Sequence, residues 1–159
     1  QLVELVTKEG KSPKTEFVGK SAKYILDKIG ITVGDDVKVI LMEAKEDHPF
    51  VQVELMMPIL PLVRVPDVDQ AIEMAVRVEH GNRHTAMMHS RNVEKLTKMA
   101  KLIQTTIFVK NGPSYAGIGV GGEGYTTFTI AGPTGEGLTS AKSFARRRRC
   151  VLVGGMDVR

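Results

Sequence analysis

Tryptophan is absent from this chain of 159 residues, and there is a single cysteine, Cys150. A single thiol excludes an internal disulfide framework and a cysteine-based zinc site. It fits a reducing, cytoplasmic setting. Long apolar runs are missing too. The longest, 55–63, is broken by Pro58 and Pro61 and falls well short of the roughly 20 residues a membrane helix needs. The opening residues, QLVELVTKE, lack the apolar stretch of a signal peptide. With no internal repeat and no long linker, one domain spanning 1–159 is expected. The hydrophobic fraction of 42% and charged fraction of 25% are those of a folded domain, which excludes a disordered chain. The first residue is Gln1, already in helical register, as it would be in a piece of something longer.

The net charge of +4 is unevenly placed. Lys142, Arg146, Arg147, Arg148, Arg149 and Arg159 face only Asp157 in the last stretch, and the remainder is close to neutral. No aromatic residue accompanies the arginines except Phe144, so base stacking has little to work with. The run reads as a solvated edge or a subunit contact, with no nucleic acid and no membrane expected as partner. An alternative function is a non-catalytic module that sets Arg146–Arg149 against an anionic partner.

Periodicity predicts helices over 2–9 and 21–29, the second presenting Ala22, Ile25, Leu26 and Ile29 on one face and stopping at Gly30. A strand is expected over 37–42. From 59 onward the pattern is regular: strand 59–65, helix 68–78, strand 84–89, helix 93–103, strand 105–109. Asp67 with Gln70 forms a capping-box pattern, and Ser90 or Asn92 can cap the next helix. Such alternation with short links predicts a parallel α/β unit. A glycine-rich loop follows over 111–124, then a strand over 125–130, a second loop over 131–137, a helix over 139–147 and a last strand over 150–153.

Four features carry candidate chemistry. Gly117, Gly119 and Gly122 match a dinucleotide-binding spacing, but a β-prone stretch follows them where a helix must start, so the match fails on context. His80, His84 and His89 are close in sequence, yet a turn at Gly81–Asn82 separates the first two and strand alternation separates the last two. No metal site is expected from them. Cys150 lies in the apolar tetrad CVLV, which reads as a buried structural position. Glu54 stands among Val53, Leu55, Met56 and Met57, either turned to solvent or accepting hydrogen bonds in a pocket.

Two stretches together resemble a known family. VELMMPILPLVRVPDVDQAIEMA (53–75) is similar to the E-x-F-G-P segment of aldehyde dehydrogenases and the strand and helix that follow it. HGNRHTAMMHS and TTIFVKNGPSYAGIGVGGEGYTTFTIAGPTGEG resemble the C-terminal part of its CoA-acylating branch, the enzymes of ethanolamine and propanediol utilisation. The resemblance implies the α/β fold of an aldehyde dehydrogenase catalytic domain, with a mainly parallel sheet flanked by helices. It implies a parent oxidoreductase that converts a short-chain aldehyde, NAD and coenzyme A to acyl-CoA and NADH through an enzyme thioester. Glu54 then corresponds to the glutamate that binds the nicotinamide ribose, and Met56 stands where most relatives carry phenylalanine. Ser114, Tyr115, Gly119 and Val120 fall in the segment near the aldehyde tunnel. The nucleophilic cysteine and the NAD-binding domain lie upstream of the matched stretch. No catalytic residue is therefore assigned in this chain, and the chain alone is expected to be inactive. A homo-oligomer with an association strand near 149–153 is implied as well, in the cytoplasm or, more narrowly, in a bacterial microcompartment lumen.

Overall fold

A computed structural model describes residues 1–127, 138–151 and 153–154. The chain divides at Gly81–Asn82 into two compact units, Gln1–Gly81 and Asn82–Arg159.

The first unit opens with α1 (Leu2–Val6), shorter than the expected helix over 2–9. The Thr7 hydroxyl explains the early stop. It donates to the Val3 carbonyl at 2.6 Å and accepts from the Gly10 amide at 3.1 Å, which turns the chain at Glu9–Gly10. Both turn residues sit at positive φ, so β1 (Thr7–Lys8) folds back antiparallel onto β2 (Ser12–Pro13). α2 (Ala22–Asp27) follows, its first turn capped by the Ser21 hydroxyl accepting from the Tyr24 amide at 3.2 Å. β3 (Ile40–Glu43) pairs in parallel with β4 (Ile59–Leu62), Ile40 opposite Ile59. The connection carries α3 (Pro49–Gln52), and α4 (Val68–Val78) comes after β4. The helix α4 has the bounds and the Asp67 cap that the sequence indicates. Gln70 differs in detail: its side-chain Nε2 donates to the Asp67 carboxylate at 3.1 Å, where the box would have the side chain accept from the N-cap backbone amide. Val6, Phe17, Ile25, Phe50, Leu55 and Ile59 form the core of this unit.

Arg77, in the last turn of α4, reaches Glu46 between β3 and α3 with a two-pronged contact. Nε lies 2.9 Å from Oε1 and Nη2 lies 3.1 Å from Oε2. Hydrogen bonding from Arg77 holds the Glu46 carboxyl below the ordinary glutamate value, and the same bond raises Arg77. A carboxyl with a lowered folded-state pKa contributes stability at neutral pH, and that contribution is lost as pH falls through the lowered value. The urea midpoint of Arg77→Met should therefore trail the parent chain at neutral pH. The gap should close as the pH drops below about 4.5, where unfolded glutamate becomes protonated. Both groups are exposed, so the gap is small. A gap that widens in acid would contradict the assignment.

In the second unit β5 (Thr85–Met88), α5 (Val93–Ile103) and β6 (Ile107–Lys110) make a strand–helix–strand unit with parallel strands, Thr85 opposite Ile107. This is the alternation expected from the sequence, and α5 begins and ends where expected. Among the described residues β3–β4 and β5–β6 are each a parallel two-stranded sheet. Leu96, Met99 and Ile103 of α5 are buried, as are Ile107 and Val109 of β6. The fold class is α/β, with parallel strands flanked by helices.

Two C-terminal expectations are corrected. The helix over 139–147 is a single 3₁₀ turn, Ala141–Phe144, closed by a reciprocal Ser140–Ser143 box. Cys150, read as buried, is exposed, and Val151 and Val153 stand open beside it. No strand forms at 150, 151 or 153. Among the described residues no strand pairs with this segment, and Cys150, Val151 and Val153 stay open. Half of the strand expected over 125–130 and all of the loop over 131–137 lie outside the described residues, and 125–127 is irregular.

Candidate functional site

Glu54 and Met56 sit on the turn between α3 and β4. Val53 ends α3 in extended conformation, and Leu55 drops its side chain into the core. Met57 also packs against that core, so alternate residues anchor the turn and Glu54 and Met56 project outward. Met56 adopts a φ of 52°, an uncommon conformation for a side chain of this size, and is 58% exposed. Its carbonyl accepts from the Gly19 amide at 3.1 Å, which helps to hold the turn. The Glu54 carboxylate is exposed and has no hydrogen-bond or ion-pair partner among the described residues.

The second group lies on the loop after β6. Ser114–Ile118 forms a 3₁₀ turn, and Gly119 closes it at φ 96°. The Val120 amide donates to the Tyr115 carbonyl at 2.9 Å, and the Gly124 amide donates to the Ala116 carbonyl at 3.1 Å. Ser114, Tyr115, Gly119 and Val120 are therefore brought onto one compact loop, all four exposed. They do not line the depression beside it. That open groove, about 560 Å³, is lined by Lys110, Asn111, Gly112, Ala116, Gly122 and Tyr125 among others.

The glycines of this loop have a packing reason. A Cβ on Gly117 would run into the Ile107 side chain, and one on Gly124 would run into the Gly117 backbone. The spacing that mimics a dinucleotide motif thus lets a loop lie flat on β6 and on itself. Sequence reasoning also passed over Asn111. Its signal was an asparagine at a strand end before glycine, a place where left-handed backbone is tolerated.

The histidines stay apart in role. His48 caps α3, its Nδ1 accepting from the Phe50 amide at 3.1 Å, while His80, His84 and His89 are exposed. Among the described residues no cluster of three metal-ligating side chains forms, and no helix is long and apolar enough to cross a membrane.

Residues 37–136 match the model of the aldehyde dehydrogenase family. The chain belongs to that family. Among curated aldehyde dehydrogenases, a propanal dehydrogenase (CoA-propanoylating) of Salmonella typhimurium is 54% identical over 152 residues. The match covers 95% of this chain and 32% of the relative, so the chain spans about a third of that enzyme's length. A Rhodopseudomonas palustris propionaldehyde dehydrogenase, solved with bound CoA and an acylated cysteine, is 72% identical with a TM-score of 0.87. That likeness covers 96% of this chain and 35% of the other. A propionaldehyde dehydrogenase from the fucose utilisation microcompartment of Clostridium phytofermentans is 50% identical, with a TM-score of 0.83 over 99% of this chain and 36% of its own. These aldehyde dehydrogenases support the CoA-acylating resemblance, and nothing in them supports an anion-binding module built on Arg146–Arg149.

Proposed function

We propose that the enzyme to which this chain contributes oxidises a short-chain aldehyde with a nicotinamide acceptor and delivers the acyl group to coenzyme A. The observation that carries this reading is the 54% identity, over nearly the whole chain, to a CoA-propanoylating propanal dehydrogenase. The nicotinamide supplies a hydride acceptor, and coenzyme A supplies the thiol that receives the acyl group. Cys150 is not assigned as the nucleophile, because the resemblance places the catalytic cysteine ahead of the matched stretch. The chain alone is then inactive.

Glu54 suits a ribose diol chemically. A carboxylate accepts several hydrogen bonds, and this one faces solvent with no partner of its own among the described residues. Met56, exposed beside it, offers a flexible apolar surface for a ring and for the pantetheine arm that must follow. The loop carrying Ser114, Tyr115, Gly119 and Val120 belongs, by the family resemblance, to the segment near the aldehyde tunnel. Its exposed Tyr115 and Val120 give an apolar wall. The segment near 149–153, with Val151 70% and Val153 89% exposed, pairs with another subunit in a homo-oligomer. The setting is the cytoplasm, and the likeness to the Clostridium phytofermentans enzyme supports a microcompartment lumen.

Glu54→Gln in the full-length enzyme tests the reading. Losing charge-assisted bonds to the ribose misplaces the nicotinamide, so hydride transfer should slow roughly ten-fold. Transfer of a preformed acyl group to coenzyme A should change much less, since hydride transfer is already complete. Rapid-mixing measurements separate the two half-reactions. An unchanged hydride-transfer rate would remove Glu54 from the cofactor site.

A further inference from the structure

Asn111 stands directly after β6, and its side-chain amide pairs with the backbone N–H and C=O of a single residue, Ser90. Its Oδ1 accepts from the Ser90 amide at 2.7 Å, and its Nδ2 donates to the Ser90 carbonyl at 3.0 Å. Its own backbone amide donates to the Met88 carbonyl at 3.0 Å, the last rung between the strands. The side chain thus continues the β5–β6 pairing past the strand ends, by two bonds, while its backbone at φ 56° turns into the glycine-rich loop. Ser90 carries the connection onward. Its hydroxyl accepts from the Asn92 amide at 3.0 Å, and the Asn92 side chain caps α5 by accepting from the Lys95 amide at 3.0 Å. The start of the loop is therefore tied, through three residues, to the start of the helix.

The position of this clasp matters. Ser90 and Asn111 follow the carboxyl ends of two parallel strands, which is where open α/β sheets hold their ligands. Asn111 also lines the groove of about 560 Å³, together with Lys110 and Gly112. We infer that Asn111 is a positioning residue: its bidentate clasp on Ser90 fixes the glycine-rich loop at the carboxyl edge of the sheet and so sets how tightly the aldehyde is held. This inference rests on the function proposed above. It adds to it a residue that acts on the aldehyde through the loop rather than by touching the reacting atoms.

Two variants isolate the clasp. Asn111→Gly removes the side chain and is at ease in left-handed backbone, so the turn itself is preserved. Asn111→Asp keeps an acceptor for the Ser90 amide but sets a carboxylate oxygen against the Ser90 carbonyl. In the full-length enzyme, steady-state rates are measured with propanal and with a longer aldehyde, at varied coenzyme A, against titrated active enzyme. Both variants should raise the aldehyde KM roughly ten-fold, a change equivalent to about 1.4 kcal/mol. They should leave the KM for coenzyme A within two-fold and flatten the preference between the two aldehydes. If the parent enzyme shows no CoA-dependent aldehyde oxidation, the proposed function fails and this inference falls with it. If the parent is active and the aldehyde KM of the variants is unchanged, or kcat and every KM shift together, or neither variant folds, the clasp is structural only and the inference is overturned.

Discussion

Gly124→Ala should lift the glycine-rich loop off its own first turn. A Cβ at this position would land on the carbonyl of Gly117 and close to that of Ala116, within distances that heavy atoms do not share. Both obstacles are backbone, so no flexible side chain can swing aside. The Gly124 amide also donates to the Ala116 carbonyl at 3.1 Å, and the displacement that relieves the clash breaks that bond. Overpacking of this kind costs about 1–3 kcal/mol, with the upper end expected when only backbone can move. Gly112→Ala is the matched control. There a Cβ would meet the Val109 side chain at 3.4 Å and Ala116 Cβ at 3.6 Å, which is ordinary contact. Urea unfolding with amide exchange at 116–124 measures both effects. Gly124→Ala should lower the midpoint and expose the loop amides, while Gly112→Ala should do neither. Equal behaviour of the two would mean that the loop does not depend on this close approach.

The contrast between these glycines shows what was legible in the chain. Their number marked a shaped loop, and the failed dinucleotide context excluded one explanation. The actual cause, a backbone lying on a backbone, joins residues that only the fold brings together. The same boundary between local and non-local information runs through the whole structure. The helices α4 and α5 were readable to the residue because Asp67 and Asn92 cap them from within four positions. The partner of β4 was not readable. Ile59–Leu62 is apolar enough for a strand in any parallel sheet, and its pairing with Ile40–Glu43 is settled by packing across nearly twenty residues of chain. At the C-terminus the apolar tetrad CVLV suggested a strand, but a strand is a relation between two segments, and Cys150 stands exposed with no second strand among the described residues. Glu54 and Met56 were found by likeness to a family segment. Their outward projection follows from Leu55 and Met57 being anchored, which a sequence states only weakly.

That anchorage is the basis of the largest stability effect expected. Phe50, 4% exposed, packs in the core with Val6, Phe17, Ile25, Leu55 and Ile59. It stands at the start of α3, with its amide held by His48 and its ring edge-on to the imidazole at 5.1 Å between centroids. Phe50→Ala removes the ring and leaves a cavity that the surrounding core closes only in part. The cost of such a deletion is about 3–5 kcal/mol. Domains have only about 5–15 kcal/mol of stability in total, so much of the first unit's margin would go. Ile25→Val in the same core removes one methyl and should cost about 0.5–1.5 kcal/mol, which grades the response. Far-ultraviolet circular dichroism against urea gives both values. The loss has a second consequence, because Leu55 shares the core with Phe50 and anchors the turn bearing Glu54 and Met56. Met56 keeps its left-handed φ of 52° only while Leu55 and Met57 hold the chain on either side. Amide exchange over 54–57 should therefore accelerate in Phe50→Ala at urea concentrations too low to unfold it. If the midpoint shifts as expected while exchange at 54–57 stays at the parent rate, the turn is held by the Gly19–Met56 hydrogen bond rather than by the core.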